Sequence, residues 1–480
     1  MSELSHNVQG DGLWNGSRRT FLQLTGAGFG GIAGAAVLAD DGSTGAHHPA
    51  KSRAVIQIFC PGGMSQVDTF DYKPELKRRN GMPFDTDGNL QFFASKPGNC
   101  RSSFWRFRQR GDSGLWCSDL MPRLGDCVDE MAFIYSMKSR SALHGPACFM
   151  MNTGFALPGF PSMGAWVTYG LGCETRNLPG FVVLPDQRGL PPGGVINWGA
   201  GFLPARHQAT TMNLGNSRQP LPDLFPSESF SESGGEQEAL DFLARLNRKH
   251  ASAGRSGSEL EARIRAYEMA ARLQLSAPEA IDLSRESEAT VALYHLEHPE
   301  AGGFGRQCLL ARRLVERGVR FVQIYCGAEN TTAKKIRPNW DSHEDLPRDH
   351  GYWGDVLDRG ASGLLKDLKT RGMLDQTLVI CTTEFGRQPA AQGASGKGRD
   401  HNADAFTAWL AGGGIRGGTG YGATDDLGYQ SVDRVTMSYD LHATALHLLG
   451  IDHTRLNWYH NGIERRLTDV HGQVIGELLS

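Results

Sequence analysis

The chain has 480 residues, of which 40% are hydrophobic and 21% charged, and its formal net charge at pH 7 is -3. This composition is ordinary for a globular protein, and the chain is long enough to bury a large core. Because basic residues are not in excess, the sequence gives no electrostatic support for a nucleic-acid-binding function. After the N-terminal segment, no stretch is long and apolar enough to span a bilayer.

The N-terminal segment predicts an export signal. A twin-arginine pair, Arg18 and Arg19, precedes a Gly/Ala-rich, mildly apolar stretch at 24–39 that ends in small residues. We therefore expect the twin-arginine export machinery to recognise the chain, residues 1–39 to be removed and residues 40–53 to form a linker. The mature protein is then periplasmic or secreted. Passengers of this route are folded before export, often around a cofactor, so the route also favours a bound metal.

Short apolar runs rich in β-branched residues recur along the chain and predict six buried strands, at 54–59, 131–135, 181–184, 319–325, 377–382 and 406–410. Helical periods lie between them, most clearly in a series of apolar residues spaced by three or four positions, namely Trp353, Leu357, Ala361, Leu364 and Leu368. Strands that alternate with helices predict an α/β fold, a three-layer sandwich around a mostly parallel sheet, over residues 54–480. Charged helical stretches between Ser/Gly-rich spacers predict a helical insertion at about 227–302.

Side chains of the kind that bind metals stand next to three of the predicted strands. Asp341 and His343 follow the fourth strand, Glu384 follows the fifth, and His401 lies just before the sixth. Ligands of open α/β sheets bind outside the carboxyl ends of the strands. Imidazole and carboxylate together suit a divalent ion that keeps one position open to substrate. The four residues therefore predict a metal site, with zinc, manganese or calcium as the candidate ions.

These residues also carry a family resemblance. The segment 377–386 resembles the strand of the alkaline phosphatase and sulfatase superfamily that ends in a metal-binding Asp-His or Asp-Asn, with Glu384 in place of the Asp. His401 resembles the late metal histidine of that superfamily, and Asp341 and His343 resemble its Asp…His metal pair at closer spacing. The resemblance implies an alkaline phosphatase-like fold and a divalent metal.

The nucleophile position departs from this superfamily. His144-Gly145-Pro146, followed by Thr153-Gly154, has the spacing of the sulfatase nucleophile motif. His144 thus stands where the superfamily has Cys, Ser or Thr, and no formylglycine can be made there.

The metal-binding Asp expected after the first strand is also missing, because Cys60-Pro61-Gly62-Gly63 lies there. Asp68 and Asp71 follow, and each is either a substitute ligand or a hydrogen-bonded loop carboxylate. The roles of His350 and Asp400 stay open.

From about residue 50 to its C-terminus, the chain resembles one uncharacterised bacterial family more closely, domain of unknown function 1501. The segments that carry this resemblance include 62–71, 305–314, 340–343, 384–387 and 460–462. This family implies the same fold and a secreted location, but no established substrate.

Two functional hypotheses follow. In the first, the protein is a secreted metal-dependent hydrolase of phosphate or sulfate esters, acting on a small-molecule or glycan ester. Asp341, His343 and His401 hold the main ion, while Glu384 holds a second ion or orients the first. In the second hypothesis, the protein is a secreted binding or scaffold protein that keeps the fold and a metal without turnover. A redox function ranks far lower, since no haem, iron–sulfur or dinucleotide motif is present.

Two further residues have candidate catalytic roles. His144 acts either as general base on a water molecule or as a direct nucleophile, and the first role is favoured. Arg387 either neutralises the anionic substrate, because its planar guanidinium suits phosphate and sulfate, or pairs with a carboxylate of the protein.

Overall fold

The computed structural model describes residues 45–86, 90, 93, 95–175, 177–214, 238, 242, 245, 279–329, 336–393 and 396–480. The predicted signal peptide and most of the predicted helical insertion lie outside the described residues. In the part of the chain that the structure describes, no helix combines the length and apolar character needed to cross a membrane.

An eight-stranded sheet forms the middle layer. Its strands, in chain order, are β1 (Ala54–Phe59), β2 (Met131–Met137), β3 (Phe181–Leu184), β4 (Thr210–Thr211), β5 (Phe321–Tyr325), β6 (Thr377–Thr382), β7 (Phe406–Ala411) and β8 (Thr419–Tyr421). In space they are arranged in the order β8-β2-β7-β6-β1-β5-β3-β4. β7 runs antiparallel to both of its neighbours, and every other pairing in this sheet is parallel. The prediction of a mostly parallel sheet is confirmed.

The helices cover both faces of the sheet. They are α1 (Gln66–Thr69), α2 (Pro74–Arg78), α3 (Pro122–Gly125), α4 (His144–Thr153), α5 (Met163–Leu171), α6 (Glu288–Leu293), α7 (Gly302–Glu316), α8 (Leu346–Thr370) and α9 (Ser438–Leu448). Single 3-10 turns lie at Val128–Glu130, Gly194–Trp198, Ala205–His207, Leu283–Arg285, Leu374–Gln376 and Gly476–Leu478. α6 and the turn before it are the described part of the predicted insertion.

Short two-stranded ribbons complete the described structure. They pair Pro97–Cys100 with Ala390–Gln392, Phe107–Arg110 with Leu115–Ser118, Gly386–Arg387 with His401–Asn402, Ala423–Thr424 with Ser431–Asp433, and Trp458–His460 with Ile463–Arg465.

The side chains of β1 show why two helical layers form. All six residues of this strand are buried, and successive side chains point to opposite faces. Ile56 and Ile58 belong to the core shared with α7 and α8. Val55 and Phe59 belong to the core shared with α4, α5 and α9. Because a sheet with two apolar faces must be covered twice, the chain forms the three-layer sandwich that its sequence predicts.

The direction of the strands determines where the functional side chains meet. β1, β2, β5 and β6 are parallel to one another and end at the same edge of the sheet, and the antiparallel β7 begins there. The segments that contain His144, Asp341 and Glu384 follow strand ends at this edge, and His401 precedes β7. We call this the site edge.

Helix α4, whose first residue is His144, is anchored from two sides. On the sheet side, the buried Asn152 accepts hydrogen bonds from Gln57 at 3.3 Å and from Gln323 at 2.8 Å. On the other side, Nε2 of His442 in α9 donates to the carbonyl of Met151 at 2.9 Å. Since His442 is fully buried, its ring is held in the neutral form.

The free energy of unfolding should fall in mild acid because of His442. Burial, only partly opposed by the hydrogen bond to Met151, lowers the pKa of His442 to about 4, against about 6.5 in the unfolded chain. Between these two pH values the unfolded state binds the proton more tightly, so up to about 3 kcal/mol of stability is lost as pH falls from 6.5 to 4. Urea unfolding of His442→Gln should show a shallower decline over this range. In the control His471→Gln, at an exposed position, the free energy of unfolding should decline with pH as in the wild type. The same decline in the wild type and both variants would refute the role of His442.

Candidate metal and hydrolase site

One carboxylate oxygen is the centre of the site. The Oδ1 atom of Asp341, in the loop between β5 and α8, faces the Nε2 atoms of three imidazoles, at 2.8 Å from His343, 3.4 Å from His401 and 3.5 Å from His144. Asp341, His401 and His144 each place one ligand atom within 4.8 Å of the others. Residues that are up to 257 positions apart therefore converge at the site edge, as the sequence predicts for Asp341, His343 and His401.

The three imidazoles are oriented in the same way. Each ring directs its Nδ1 atom at a protein oxygen, so that Nδ1 is the hydrogen-bond donor. The acceptors are Glu384 Oε1 for His144 at 2.6 Å, Gln392 Oε1 for His343 at 2.6 Å and the Ala142 carbonyl for His401 at 2.7 Å. The tautomer follows from these partners, because none of the three oxygens can donate. On a neutral ring of this tautomer, the Nε2 atom presents a lone pair to the centre of the site.

The close approach of these nitrogens favours a positive charge between them, which a proton or a metal ion can supply. The Nε2 atoms of His343 and His401 are only 3.0 Å apart. The Nε2 atom of His144 is buried and has no hydrogen-bond partner among the described residues. Metal-binding histidines commonly donate the other ring N–H to a carboxylate or carbonyl oxygen, and this arrangement is present here three times. The residues therefore fit a divalent cation.

The types of donor atom narrow the choice of ion. Imidazole nitrogens suit zinc and iron, carboxylates suit manganese, and calcium takes six to eight oxygen ligands. Of the ions that the sequence suggests, zinc and manganese suit this set of nitrogens and one carboxylate better than calcium does.

Glu384 lies behind His144. Its Oε1 atom accepts both the His144 Nδ1–H and, at 2.8 Å, the backbone N–H of Gly62, while its Oε2 atom accepts the hydroxyl of Thr383 at 3.1 Å. The carboxylate is fully buried, and these bonds occupy both of its oxygens. This geometry supports the orienting role that was open for Glu384 and does not support its expected role as a direct metal ligand.

Arg387 is a structural partner of Asp341. Its guanidinium is fully buried and lies 2.6 Å from Asp341 Oδ1. It also donates to the carbonyls of Gly62, Gly63 and Arg399. These contacts match the second of the two roles expected for Arg387, pairing with a carboxylate, and leave the first, contact with an anionic substrate, without support.

The charges of the site favour a cation. Burial acts to raise the pKa of Asp341, but Arg387 and the three imidazoles hold it far below its usual range. Burial acts to lower the pKa of His144, yet the neighbouring carboxylates of Asp341 and Glu384 raise it to about 9. Burial dominates at His401 and lowers its pKa to about 4. The carboxylates of Asp341 and Glu384 thus create a negative potential around His144.

The neighbouring candidate residues have structural partners. Asp68 is fully buried, pairs with Arg399 at 2.8 Å and accepts the hydroxyl of Ser65 at 2.6 Å. Asp71 accepts the hydroxyl of Thr424 at 2.5 Å and lies 2.9 Å from the ammonium of Lys73. Both are therefore hydrogen-bonded structural carboxylates, Asp68 in α1 and Asp71 in the loop after it, and not substitute ligands.

His350 and Asp400 support the loops around the site. Nε2 of the buried His350 accepts the backbone N–H of Ser65 at 3.1 Å. Asp400 accepts the backbone N–H of His401 at 2.8 Å and the hydroxyl of Ser95 at 2.9 Å.

Three contributors to the site carry no signal in the sequence. Gln392 and the carbonyl of Ala142 orient two imidazoles, yet neither stands at a ligand-like spacing. The buried ring of Phe385 lies 4.9 Å from the ring of His144 and 4.6 Å from that of His401, measured between centroids. Only the packing of distant loops brings them to the site.

Comparison with known protein families identifies the family of the chain. A family model described as "Protein of unknown function (DUF1501)" matches residues 52–479. The chain belongs to this family. The match confirms the family resemblance of the sequence and supplies no activity. No curated protein sequence matches the chain significantly.

Solved structures similar to the chain include a sulfatase and a phosphonate monoester hydrolase, as their titles name them. The structure of Ps i-CgsB in complex with k-i-k-neocarrahexaose is 12% identical in sequence and has a TM-score of 0.37. The aligned region covers 83% of this chain and 72% of the Ps i-CgsB chain. The PsFucS1 sulfatase from Pseudoalteromonas sp. is 13% identical, with coverages of 89% and 72% and a TM-score of 0.37. The phosphonate monoester hydrolase SpPMH from Silicibacter pomeroyi is 12% identical, with coverages of 69% and 68% and a TM-score of 0.31. Likeness at this level does not assign an activity to the chain.

Removal of the Arg387 guanidinium should destabilise the fold. In Arg387→Met, Asp341 loses its buried counter-charge and three carbonyls lose a donor, so we expect unfolding to become easier by about 3 kcal/mol. The control Arg78→Met, at a position whose side chain is 78% exposed, should change the free energy of unfolding by no more than about 0.5 kcal/mol. Equal stabilities of the two variants in urea unfolding would contradict the role of Arg387.

Proposed function

We propose that the protein is an exported, metal-dependent hydrolase of phosphate or sulfate esters. Asp341, His343 and His401 would hold a divalent cation, with zinc and manganese as the fitting ions. When bound, such a cation would supply Lewis-acid polarisation of the ester oxygen. The observation that carries the proposal is the close contact between the Nε2 atoms of His343 and His401, which lie 3.0 Å apart.

His144 and Glu384 form the acid–base pair of the proposed reaction. The His144 imidazole donates Nδ1–H to Glu384, which leaves Nε2 directed towards the site, 3.5 Å from Asp341. Such a pair takes up a proton at Nε2 from an attacking water and returns it to the leaving oxygen, while the carboxylate stabilises the imidazolium. His144 occupies the position of a nucleophile in the resembling superfamily, but a base with a buried carboxylate behind it accounts better for its surroundings.

The anionic group of the substrate would bind at the N-terminus of α4. The residue before this helix, Leu143, makes no side-chain capping hydrogen bond, so the first backbone N–H groups are not satisfied in that way. No atom lies within 4 Å of the place that a Cβ on Gly145 would occupy. A helix N-terminus attracts anions through its free N–H groups and its dipole. Arg387 cannot substitute for it, because its donors are bound to the protein.

Metal analysis of the purified protein is the first test of the proposal. We expect about one zinc or manganese per chain, and loss of that metal in His401→Ala, which removes a ligand. His460→Ala, in the C-terminal ribbon, should keep the full content. Absence of a stoichiometric metal from the wild type after growth with either ion would overturn the proposal.

Turnover of a panel of phosphate and sulfate esters then separates the two roles of His144. In His144→Gln we expect unchanged metal content and a loss of roughly 10²–10⁴-fold in kcat, as for removal of a general acid–base. Metal loss equal to that of His401→Ala would make His144 a ligand instead. Bound metal without hydrolysis of any ester would favour a secreted binding protein.

The export expectation is proposed on the sequence alone. Arg18→Lys with Arg19→Lys should keep the full-length precursor in the cytoplasm, whereas the wild type should reach the periplasm at the mature size. Arg53→Lys, outside the predicted signal, is the matched control. Periplasmic delivery of the double variant would refute the twin-arginine route.

A further inference from the structure

Phe93 lies directly against the proposed metal site. Its ring is stacked on the imidazole of His401, with centroids 4.8 Å apart and planes inclined by 8°. The buried ring of Phe385 packs against the same imidazole. Although Phe93 is in contact with a buried residue, 48% of its own surface is exposed. An aromatic surface is thus open to solvent beside a proposed metal ligand.

The position of Phe93 is supported by its neighbours. Ser95, two residues later, donates its hydroxyl to Asp400 at 2.9 Å. Asp400 in turn accepts the backbone N–H of His401 at 2.8 Å. Ser95 is therefore linked through Asp400 to His401, the residue on which Phe93 stacks.

A second exposed apolar side chain adjoins the site. Leu143, which precedes His144, is 52% exposed. Single exposed apolar residues are common on protein surfaces, but Phe93 and Leu143 each adjoin a histidine of the site. Apolar and aromatic walls with a few convergent polar groups are typical of small-molecule sites.

We propose that Phe93 is a specificity-determining residue that binds a ring in the alcohol part of the substrate. The inference rests on the proposed function and deepens it, because it names the substrate class as esters of ring-bearing alcohols. The ring would stack on the open surface of Phe93 while the anionic group occupies the site next to His401. Offset or edge-on stacking of rings adds to the free energy gained from burial alone.

Binding of two non-hydrolysable anions tests this inference without any need for turnover. Phenylphosphonate and methylphosphonate share the anionic group and differ in the ring. We expect the metal-loaded full chain to bind phenylphosphonate about tenfold more tightly in isothermal titration calorimetry, and Phe93→Ala to remove most of that preference. Methylphosphonate affinity should change less than about twofold in this variant, since its anion does not reach the ring.

Two further variants make the result specific. Phe93→Trp keeps an aromatic surface and should retain the preference for the phenyl ligand. Tyr459→Ala removes an exposed aromatic side chain of the C-terminal ribbon and should leave both affinities unchanged. Metal content measured on every variant shows whether His401 still binds its ion.

The outcomes distinguish the inference from the function on which it rests. Equal affinities of the wild type for the two phosphonates would refute the ring subsite while leaving the anion site intact. An equal loss of both affinities in Phe93→Ala with full metal content would also refute it. Failure of both anions to bind would overturn the anion site and the ring subsite together.

Discussion

The site depends on the stabilisation of one partly buried carboxylate, that of Asp341. A carboxylate in such surroundings is costly unless it is paired and hydrogen-bonded. Arg387 supplies the counter-charge at 2.6 Å, and the same guanidinium bonds to the Gly62 and Gly63 carbonyls. This pairing holds the loop after β1 against the loop after β5, where a Cβ on Gly62 would lie only 2.5 Å from the Asp341 nitrogen. With φ at +107° as well, glycine is required there.

Much of this arrangement follows from local sequence patterns. Apolar runs identify the strands, and three of the six predicted strands have the observed bounds, while the others differ by one or two residues at an end. Asp341, His343 and His401 were predicted to meet because they flank strands, and they do. His401 reaches the other two residues only because β7, the strand that it precedes, is antiparallel to β6. In a parallel strand, a residue that precedes it would lie at the opposite edge of the sheet.

The remaining features depend on long-range packing. Spacing alone could not show that Glu384 faces Nδ1 of His144, since the two residues are 240 positions apart. The amide of Gln392 and the ring of Phe93 stand in segments without ligand-like patterns. For the same reason Arg387 had two open roles in the sequence, and only its burial and its four acceptors decide between them. Ligand types can be read locally, whereas the partners that orient them cannot.

The family match and the fold leave the chemistry to be decided by the site. A histidine backed by a buried carboxylate stands where the resembling superfamily has a hydroxyl or thiol. Under the proposed function, a covalent intermediate on oxygen or sulfur is therefore not available at this position, and attack by a water molecule is the route that we favour.

The reversed direction of β7 has a consequence for how the protein can vary. Since β6 and β7 are adjacent and antiparallel, the chain leaves and re-enters the sheet at one edge, and the connection at 383–405 carries Glu384, Arg387, Gln392 and His401. Exchange of this connection between homologues would carry over one proposed ligand, His401, together with Glu384 and Gln392, which orient two other imidazoles. The pairing of the two strands on either side would be left as it is, so this part of the site can vary without rebuilding the core.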